Sequence, residues 1–151
     1  MRCTHICQCV YNIPMSSGTQ SARLAGLFAA LADTTRLRLL NLMNGREVCV
    51  CYFVEILGQS QPKISRHLAY LRRAGIVAAR REGKWMHYRM VHPADEAAAS
   101  TLDAVLASFA TDKQMQADRS RLDRACCAPQ KLVLPEGAPL PALLTPLAQA
   151  R

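Results

Sequence analysis

The stretch SQPKISRHLAYLRRAGIVAARREGKWMHYR, residues 60–89, begins with the pattern of a capped helix. Ser60 is a favourable N-cap. Pro62 follows in the first helical turn, where its missing N–H is harmless because that group has no intrahelical partner. Gly75 is a typical helix stop. These signals predict a helix over residues 61–73. Its buried stripe is expected to consist of Ile64, Leu68 and Leu71.

Two short strands are predicted after this helix. Residues 76–80 and 85–90 alternate between apolar and polar side chains, with Glu82-Gly83-Lys84 as the tip of a hairpin. A helix followed by a tight turn and a charged hairpin is the order of a helix-turn-helix with a wing, in which the second helix of the pair reads the major groove of DNA.

The positive charge of the chain is concentrated in the same region. Between Gly58 and His92 there are eight Lys or Arg residues and one acid, Glu82. The local net charge is therefore +7, out of a formal net charge of +8 for all 151 residues. Such a concentration is the electrostatic signature of a surface that binds phosphate.

The outward side of the predicted helix carries side chains that can bond to bases and phosphates. Arg66 suits guanine and Gln61 suits adenine, while Arg81 and Lys84 of the hairpin would lie against the backbone or the minor groove. The alternatives are a solvated basic face and a structural role for His67. The candidate DNA contacts are Ser60, Gln61, Lys63, Ser65, Arg66, His67, Tyr70, Arg81 and Lys84.

Helical patterns also occur on both sides of this region. Apolar periodicity predicts a helix over residues 24–31, Asp33 is a favourable N-cap for a second helix, and the apolar run 50–57 is long enough for a third. A last helix after Pro93 is expected to continue toward Arg124. The predicted fold is mainly α with a small β-hairpin (α+β): a winged helix-turn-helix with about five helices and a two-stranded wing.

Several classes of protein are excluded by what the sequence lacks. There is no recognisable secretory signal, and no apolar run approaches the roughly 18 residues of a membrane span. We therefore expect a cytoplasmic protein without a membrane partner. No nucleophile, base and orienting group stand out together, which argues against an enzyme. Seven clustered cysteines in a cytosolic chain indicate a soft-metal or redox role and not a disulfide framework.

Four stretches, in this order, resemble the arsenic-responsive branch of the ArsR/SmtB family of metal-sensing winged-helix repressors. They are LADTTRLRLLNLM (31–43), EVCVC (47–51), SQPKISRHLAYLRRAGIV (60–77) and RREGKWMHYR (80–89). The resemblance covers about residues 24–110. It implies a homodimer with the first and last helices at its interface, which binds operator DNA without ligand and leaves it on binding a metalloid.

Cys49 and Cys51 stand where the third helix is predicted to begin. A thiol at a helix N-terminus has a lowered pKa, and soft thiolates select soft ions. Arsenite and antimonite prefer three sulfurs. Relatives with the CxCxxC pattern have a third cysteine where this chain has Val54, so the pair is one sulfur short. The alternative is that Cys51 is a small buried hydrophobe.

The third sulfur has several candidate sources. Our first choice is the pair Cys126 and Cys127, because some members of the family resemble this chain in using paired cysteines near the C-terminus. The second choice is the N-terminal trio Cys3, Cys7 and Cys9, and a third option is a separate site made by the two groups together. A zinc site of the SmtB type is not expected, because residues 94–125 contain no His.

The expected organisation has three parts. Residues 1–20 form a flexible lead-in, although Met15 is an alternative start that would remove its cysteines. Residues 21–125 form the winged domain for DNA binding and dimerisation. Residues 126–151 begin with the Cys-Cys pair and continue as a Pro-, Leu- and Ala-rich tail that is expected to be disordered.

The resulting hypothesis is a homodimeric repressor that binds a double-stranded DNA operator in a sequence-specific way. As(III) or Sb(III), held by cysteine thiolates, would release it, and no cofactor would be required. One alternative is the same scaffold sensing another soft metal ion or an organoarsenical. The other is a thiol redox sensor, in which the cysteines are oxidised and not metallated.

Overall fold

The structure, a computed structural model, describes residues 18–127 and 134–143. Within these ranges the chain forms six α-helices and four short strands. They are α1 (Gln20–Leu31), α2 (Thr34–Met43), β1 (Arg46–Cys49), α3 (Val50–Leu57), α4 (Gln61–Arg73), β2 (Val77–Glu82), β3 (Trp85–Met90), α5 (Glu96–Ser108), α6 (Lys113–Cys127) and β4 (Ala142–Leu143). This arrangement confirms the predicted winged helix-turn-helix, with α3 and α4 as the helix pair and β2–β3 as the wing.

The helix boundaries follow from local side-chain chemistry. Asp33 caps α2 by accepting a hydrogen bond from the N–H of Arg36 (2.9 Å), and Asp95 caps α5 in the same way from Ala98 (3.0 Å). Gly58 ends α3 with φ of 63°, a left-handed conformation in which other residues are strained. The stop at Gly58 leaves three residues between α3 and α4, and these two helices pack against each other.

The core lies between these helices and one face of the sheet. The predicted stripe of α4 is confirmed, because Ile64, Leu68 and Leu71 are each fully buried. They pack with large apolar side chains of α2 and α3, such as Leu39 and Phe53. This burial holds α4 by one side and leaves its other side at the surface.

The sheet contains more than the predicted hairpin. Its strand order is β2-β3-β1-β4, with every neighbouring pair antiparallel. Strand β1 was not predicted, since its four residues, REVC, are too short and mixed for a periodicity signal. It pairs with the wing strand β3 and places Cys49 opposite His87. The wing is therefore joined to the segment that carries Cys49.

The last predicted helix is divided into two helices, α5 and α6, so the described residues form six helices where about five were expected. Helix α5 ends in a single 3-10 turn at Phe109–Thr111, and Asp112 then starts α6 by accepting a hydrogen bond from the N–H of Met115 (2.9 Å). This cap competes with continuation of α5. Helix α6 folds back along α2 and α3.

A buried ion pair holds α6 in this position. Arg38 of α2 donates two hydrogen bonds, of 2.6 and 2.9 Å, to the carboxylate of Asp118, which is fully buried. The amide of Asn41 also donates to the backbone oxygen of Met115 (2.8 Å). Removing one partner would leave an uncompensated buried charge, so α6 is firmly docked on α2.

Part of the predicted tail is attached to the sheet. Within residues 134–143, Ala142–Leu143 pairs with Arg46 and Glu47 of β1. The lead-in with Cys3, Cys7 and Cys9 lies outside the described residues, apart from its last three positions. None of the helices in the described ranges is both long and apolar enough to cross a membrane.

Candidate nucleic-acid interface and thiol pair

The N-terminal half of α4 presents most of the candidate DNA contacts on one surface. Ser60 is the N-cap but its hydroxyl makes no capping hydrogen bond, and the first-turn N–H groups of a helix have no intrahelical acceptor. These groups form a site suited to phosphate. The exposed side chains here are Ser60, Gln61, Lys63, Ser65 and Arg66.

Two of the candidate contacts lie on a different side of α4. His67 is 17% exposed, with Nδ1 3.4 Å from Oδ1 of Asp33. Tyr70 is half-buried, and the guanidinium carbon of Arg36 lies 4.4 Å from its ring centre. Both side chains therefore contact the start of α2. These contacts favour a structural role for His67 and Tyr70, which join the two helices.

The basic residues at the wing differ in whether a carboxylate compensates their charge. Arg80 forms ion pairs with Glu47 (2.5 Å) and Glu82 (2.6 Å). Arg81 and Lys84 are exposed, and no carboxylate in the described part of the chain pairs with either. The Arg81 Nε donates to the backbone oxygen of Gly83 (2.9 Å), which holds it at the tip. The two residues predicted as wing contacts are thus exposed, and no carboxylate of the described ranges compensates their charge.

The ion pair between Glu47 and Arg80 was missed by sequence reasoning. This ion pair connects β1 to β2 across the wing strand β3. Its acidic partner, Glu47, is two residues before Cys49 in the sequence. His87, the cross-strand neighbour of Cys49, is also buried. No local signal indicates these contacts, since they depend on the unpredicted strand β1.

The thiols of Cys49 and Cys51 lie side by side. Cys49 is the N-cap of α3 and is fully buried, whereas Cys51 in the first turn is half-buried. Their Sγ atoms are 3.2 Å apart, and both cysteines are free. The predicted position at the start of the third helix is therefore correct.

The pKa values of the two thiols are shifted in opposite directions. The hydrogen bond from Cys51 lowers the pKa of Cys49 to about 7, against the opposing effect of burial. Backbone groups of Cys51, Met86 and Val50 lower it further. The same hydrogen bond, together with burial, raises the pKa of Cys51. Cys49 is therefore the more acidic of the two thiols, and the pair loses its first proton near neutral pH.

The described residues do not complete a metal site around this pair. No three side chains of His, Cys, Asp or Glu in the ranges 18–127 and 134–143 are grouped to hold a metal ion. Cys126 and Cys127 are the last two residues of α6, and their side chains lie outside what the structure describes. The third sulfur thus stays a prediction.

Helix α6 nevertheless approaches both elements that flank the thiols. Arg121 donates hydrogen bonds to the backbone oxygens of Ile56 (2.7 Å) and Glu55 (3.3 Å) in α3. Asp123 forms an ion pair with Arg46 of β1. The end of α6 is therefore attached to the strand that leads into Cys49 and to the helix that follows it.

Comparisons with known proteins identify the central part of the chain. Residues 33–79 match the family described as "Bacterial regulatory protein, arsR family". The "Arsenical resistance operon repressor" of Escherichia coli is 54% identical over 65 residues, which cover 42% of this chain and 56% of that protein. "Arsenic resistance transcriptional regulator ArsR1" of Pseudomonas putida is 53% identical over 68 residues, or 44% and 52%. The chain spans about half the length of these two relatives.

Two further comparisons cover most of the matched protein. The "Uncharacterized HTH-type transcriptional regulator MJ1325" of Methanocaldococcus jannaschii is 46% identical over 71 residues, covering 46% of this chain and 79% of that protein. The solved structure of HlyU from Vibrio cholerae has a TM-score of 0.53 at 27% identity, covering 60% and 96%. The first of these two is named as a transcriptional regulator, which agrees with the expectation of a regulator for this chain. The chain belongs to the arsR family of bacterial regulatory proteins.

Proposed function

We propose that this protein is a cytoplasmic transcriptional repressor that leaves its operator when As(III) or Sb(III) binds cysteine thiolates. One observation carries the proposal: the close thiol pair lies at the start of α3, the helix that packs directly under the exposed basic helix α4. The printed names of two relatives, which concern arsenical resistance, agree with this effector.

DNA binding is assigned to α4 and the wing. Gln61 and Arg66 would contact base edges, since their side chains are exposed on the free side of α4. Lys63, Arg81 and Lys84 would contact phosphates and set the register. The proposed assignment of His67 and Tyr70 is weaker, because both side chains already contact α2.

A homodimer is proposed for operator binding. Phe28 of α1 is 56% exposed, and it is one of two large hydrophobic side chains that are exposed in the described residues. It lies on the first helix, where the family resemblance places the interface. Two reading helices related by a two-fold axis would then contact half-sites about one helical turn of DNA apart.

The effector site is assigned to Cys49 and Cys51 with one more sulfur. Two sulfurs bonded to one ion at about 2.3 Å lie at most about 4.6 Å apart, so the 3.2 Å between these thiols is compatible with a shared ion. Cys126 or Cys127 is the preferred third ligand, because α6 is anchored to both β1 and α3. The N-terminal cysteines are the second choice.

Release is attributed to two connections from the thiol pair. Cys51 belongs to α3, which packs on α4, while Cys49 ends β1, which pairs with the wing strand β3. Drawing both sulfurs onto an ion would shift α4 and the wing relative to each other. A typical allosteric coupling of about 1–3 kcal/mol would lower operator affinity roughly 5- to 150-fold.

The test measures fluorescence anisotropy of labelled operator DNA, selected from a random pool by the purified protein. Under strong reductant, arsenite is expected to release the wild-type protein, and Cys49→Ser is expected to bind DNA but not respond. Ser108→Ala, an exposed position on α5, is the matched control and should respond normally. Absence of DNA binding in every state would overturn the proposal.

A second candidate function is redox sensing, because thiols 3.2 Å apart need little movement to form a disulfide. In that step hydrogen peroxide takes two electrons and the two thiol protons, the S–S bond forms and two waters leave. Release by peroxide but not by arsenite under reductant would favour this candidate over the first.

A further inference from the structure

Arg36, in the first turn of α2, closes the C-terminal end of α1. Its Nε donates to the backbone oxygen of Ala30 (2.6 Å), and one terminal nitrogen donates to that of Ala29 (2.8 Å). The last carbonyl groups of a helix have no intrahelical partner and carry partial negative charge. Helix α1 has no basic residue in its own last turn. The guanidinium of Arg36 therefore supplies donors and positive charge to the end of α1.

The same guanidinium also lies over the ring of Tyr70 in α4. Its carbon is 4.4 Å from the ring centre, within the distance of about 6 Å at which a cation is attracted to an aromatic face. The guanidinium of Arg73, further along α4, is 5.4 Å from the same ring centre. A planar guanidinium has donors in a fixed fork and can stack on a ring, whereas the ammonium of lysine is a point charge. Arg36 thus joins the end of α1 to α4.

A second contact joins the start of α2 to the same flank of α4. Asp33 accepts a hydrogen bond from the N–H of Arg36 (2.9 Å), and its Oδ1 lies 3.4 Å from Nδ1 of His67. His67 and Tyr70 are three residues apart, so they are neighbours on one side of the helix. The apolar contacts of the buried stripe, such as those of Leu68, are not directional. The directional contacts with α2 therefore restrict the tilt of α4 more than the buried stripe does.

We propose that Arg36 and Tyr70 are specificity-determining positioning residues, which set the distance between half-sites that the operator must have. This role rests on the proposed homodimer, in which α1 lies at the interface and each α4 contacts one half-site. Because Arg36 contacts α1 and α4 together, it fixes the reading helix relative to the axis of the dimer. Helix α4 has 13 residues and is about 20 Å long, so a tilt of about 10° moves one end by about 3.5 Å, close to the rise per base pair.

The test compares three DNAs by fluorescence anisotropy: the selected operator, the same operator with one base pair added between its half-sites, and a single half-site. The added pair turns one half-site by about 35° relative to the other, so the wild type should bind the lengthened operator at least about 10-fold more weakly than the selected one. In Arg36→Ala and in Tyr70→Leu this spacing ratio should fall at least about threefold, as for loss of a cation–π contact. Binding of Arg36→Ala to the single half-site should stay within about twofold of the wild type, since the proposed base contacts are unchanged.

Conservative variants separate positioning from other roles of the two side chains. Tyr70→Phe keeps the ring, so it should keep the spacing ratio of the wild type, whatever the hydroxyl contributes to affinity. Arg36→Lys keeps the charge but loses the planar fork of donors, so its spacing ratio should fall as in Arg36→Ala. A wild-type ratio in Arg36→Lys would overturn the proposed positioning, because charge alone would then be sufficient.

Circular dichroism and sedimentation check that each variant is folded and dimeric, and if Arg36→Ala is not, Tyr70→Leu decides the outcome. An unchanged spacing ratio in the folded, dimeric variants would overturn the positioning role alone, as would a wild type that tolerates the added base pair. Equal weakening on all three DNAs would also overturn it, because Arg36 would then act on stability or directly on phosphate. A wild-type protein that binds no operator, or binds it as a monomer, would instead overturn the proposed function.

Discussion

Helix α4 and the thiol pair lie one short helix apart, yet they depend on the rest of the chain to different degrees. The buried side and the exposed side of α4 are both set within 13 consecutive residues. The thiol pair lies in a segment that is paired with β3 and held by α6, which are both distant in the sequence. The difference shows that the proposed output surface is local, whereas the proposed input site is assembled by the tertiary structure.

The largest expected effect concerns the buried side of α4. Leu68→Ala should lower the free energy of unfolding by about 2–5 kcal/mol, because it opens a cavity in a fully packed core. Urea unfolding measures the change. Ser65→Ala, on the exposed side of the same helix, is the control and should change stability by less than about 0.5 kcal/mol. Equal effects would contradict the assignment of the two sides.

The next prediction compares the exposed side of α4 with the flank that contacts α2. Arg66→Ala should weaken binding to selected operator DNA by about 1–3 kcal/mol and leave binding to random DNA less affected, since it removes a base contact. His67→Ala should weaken specific binding less, because its ring contacts Asp33. Anisotropy with both DNAs measures the difference. A stronger loss in His67→Ala would mean that the flank facing α2 reads the bases.

The source of the third sulfur can be tested by removing the two C-terminal cysteines and adding a cysteine close to Cys51 in the sequence. The double variant Cys126→Ser/Cys127→Ser should respond to arsenite at least roughly fivefold less, within the usual range of allosteric coupling. Adding Val54→Cys, one turn beyond Cys51 in α3, should restore release by supplying a third sulfur locally. Normal release in the double variant would exclude the C-terminal pair as ligands.

The charge state of the pair gives a prediction about pH. In a variant that keeps only Cys49 and Cys51, thiolate absorbance should rise with a first midpoint of about 7. A lowered pKa means that the thiolate predominates above this pH and the thiol below it. Cys51→Ala removes the hydrogen-bond donor, so the midpoint of Cys49 should move up toward its ordinary value of 9.0. An unchanged midpoint would show that the backbone groups are sufficient.

The smallest expected effect distinguishes two residues of the wing. Lys84→Ala should lower the salt dependence of DNA binding by about one unit of slope, because one phosphate contact is lost. Arg80→Ala should change this slope less, since its charge is compensated by Glu47 and Glu82. Anisotropy titrations at several salt concentrations give both slopes. A larger change for Arg80→Ala would mean that its ion pairs open on DNA.

Much of the fold could be predicted because its signals are local. Asp33, Gly58 and Gly75 each act on neighbouring residues through capping or backbone conformation, so the boundaries of α2, α3 and α4 follow from short patterns. Strand β1 and the break between α5 and α6 were missed. Four residues are too few for a periodic signal, and a cap at Asp112 competes with a helical pattern on both sides.

The candidate site, like the fold, could be predicted from the sequence only in part. Exposure of Arg66 and Lys84 follows from helical and hairpin spacing, and both side chains are exposed in the structure. The contacts of His67 with Asp33, and of Tyr70 with Arg36, could not be read from spacing, because the flank of α4 that meets α2 depends on the angle between the helices.

The sequence by itself determined the winged helix-turn-helix, the basic face of α4 and the position of Cys49 and Cys51 at a helix start, since these depend on residues within one or two turns of each other. Only the tertiary structure decided which basic residues are compensated, and that β1 connects Cys49 to the wing. Those features arise where distant segments meet, as in the pairing of Glu47 with Arg80, and long-range pairing leaves no trace in local periodicity.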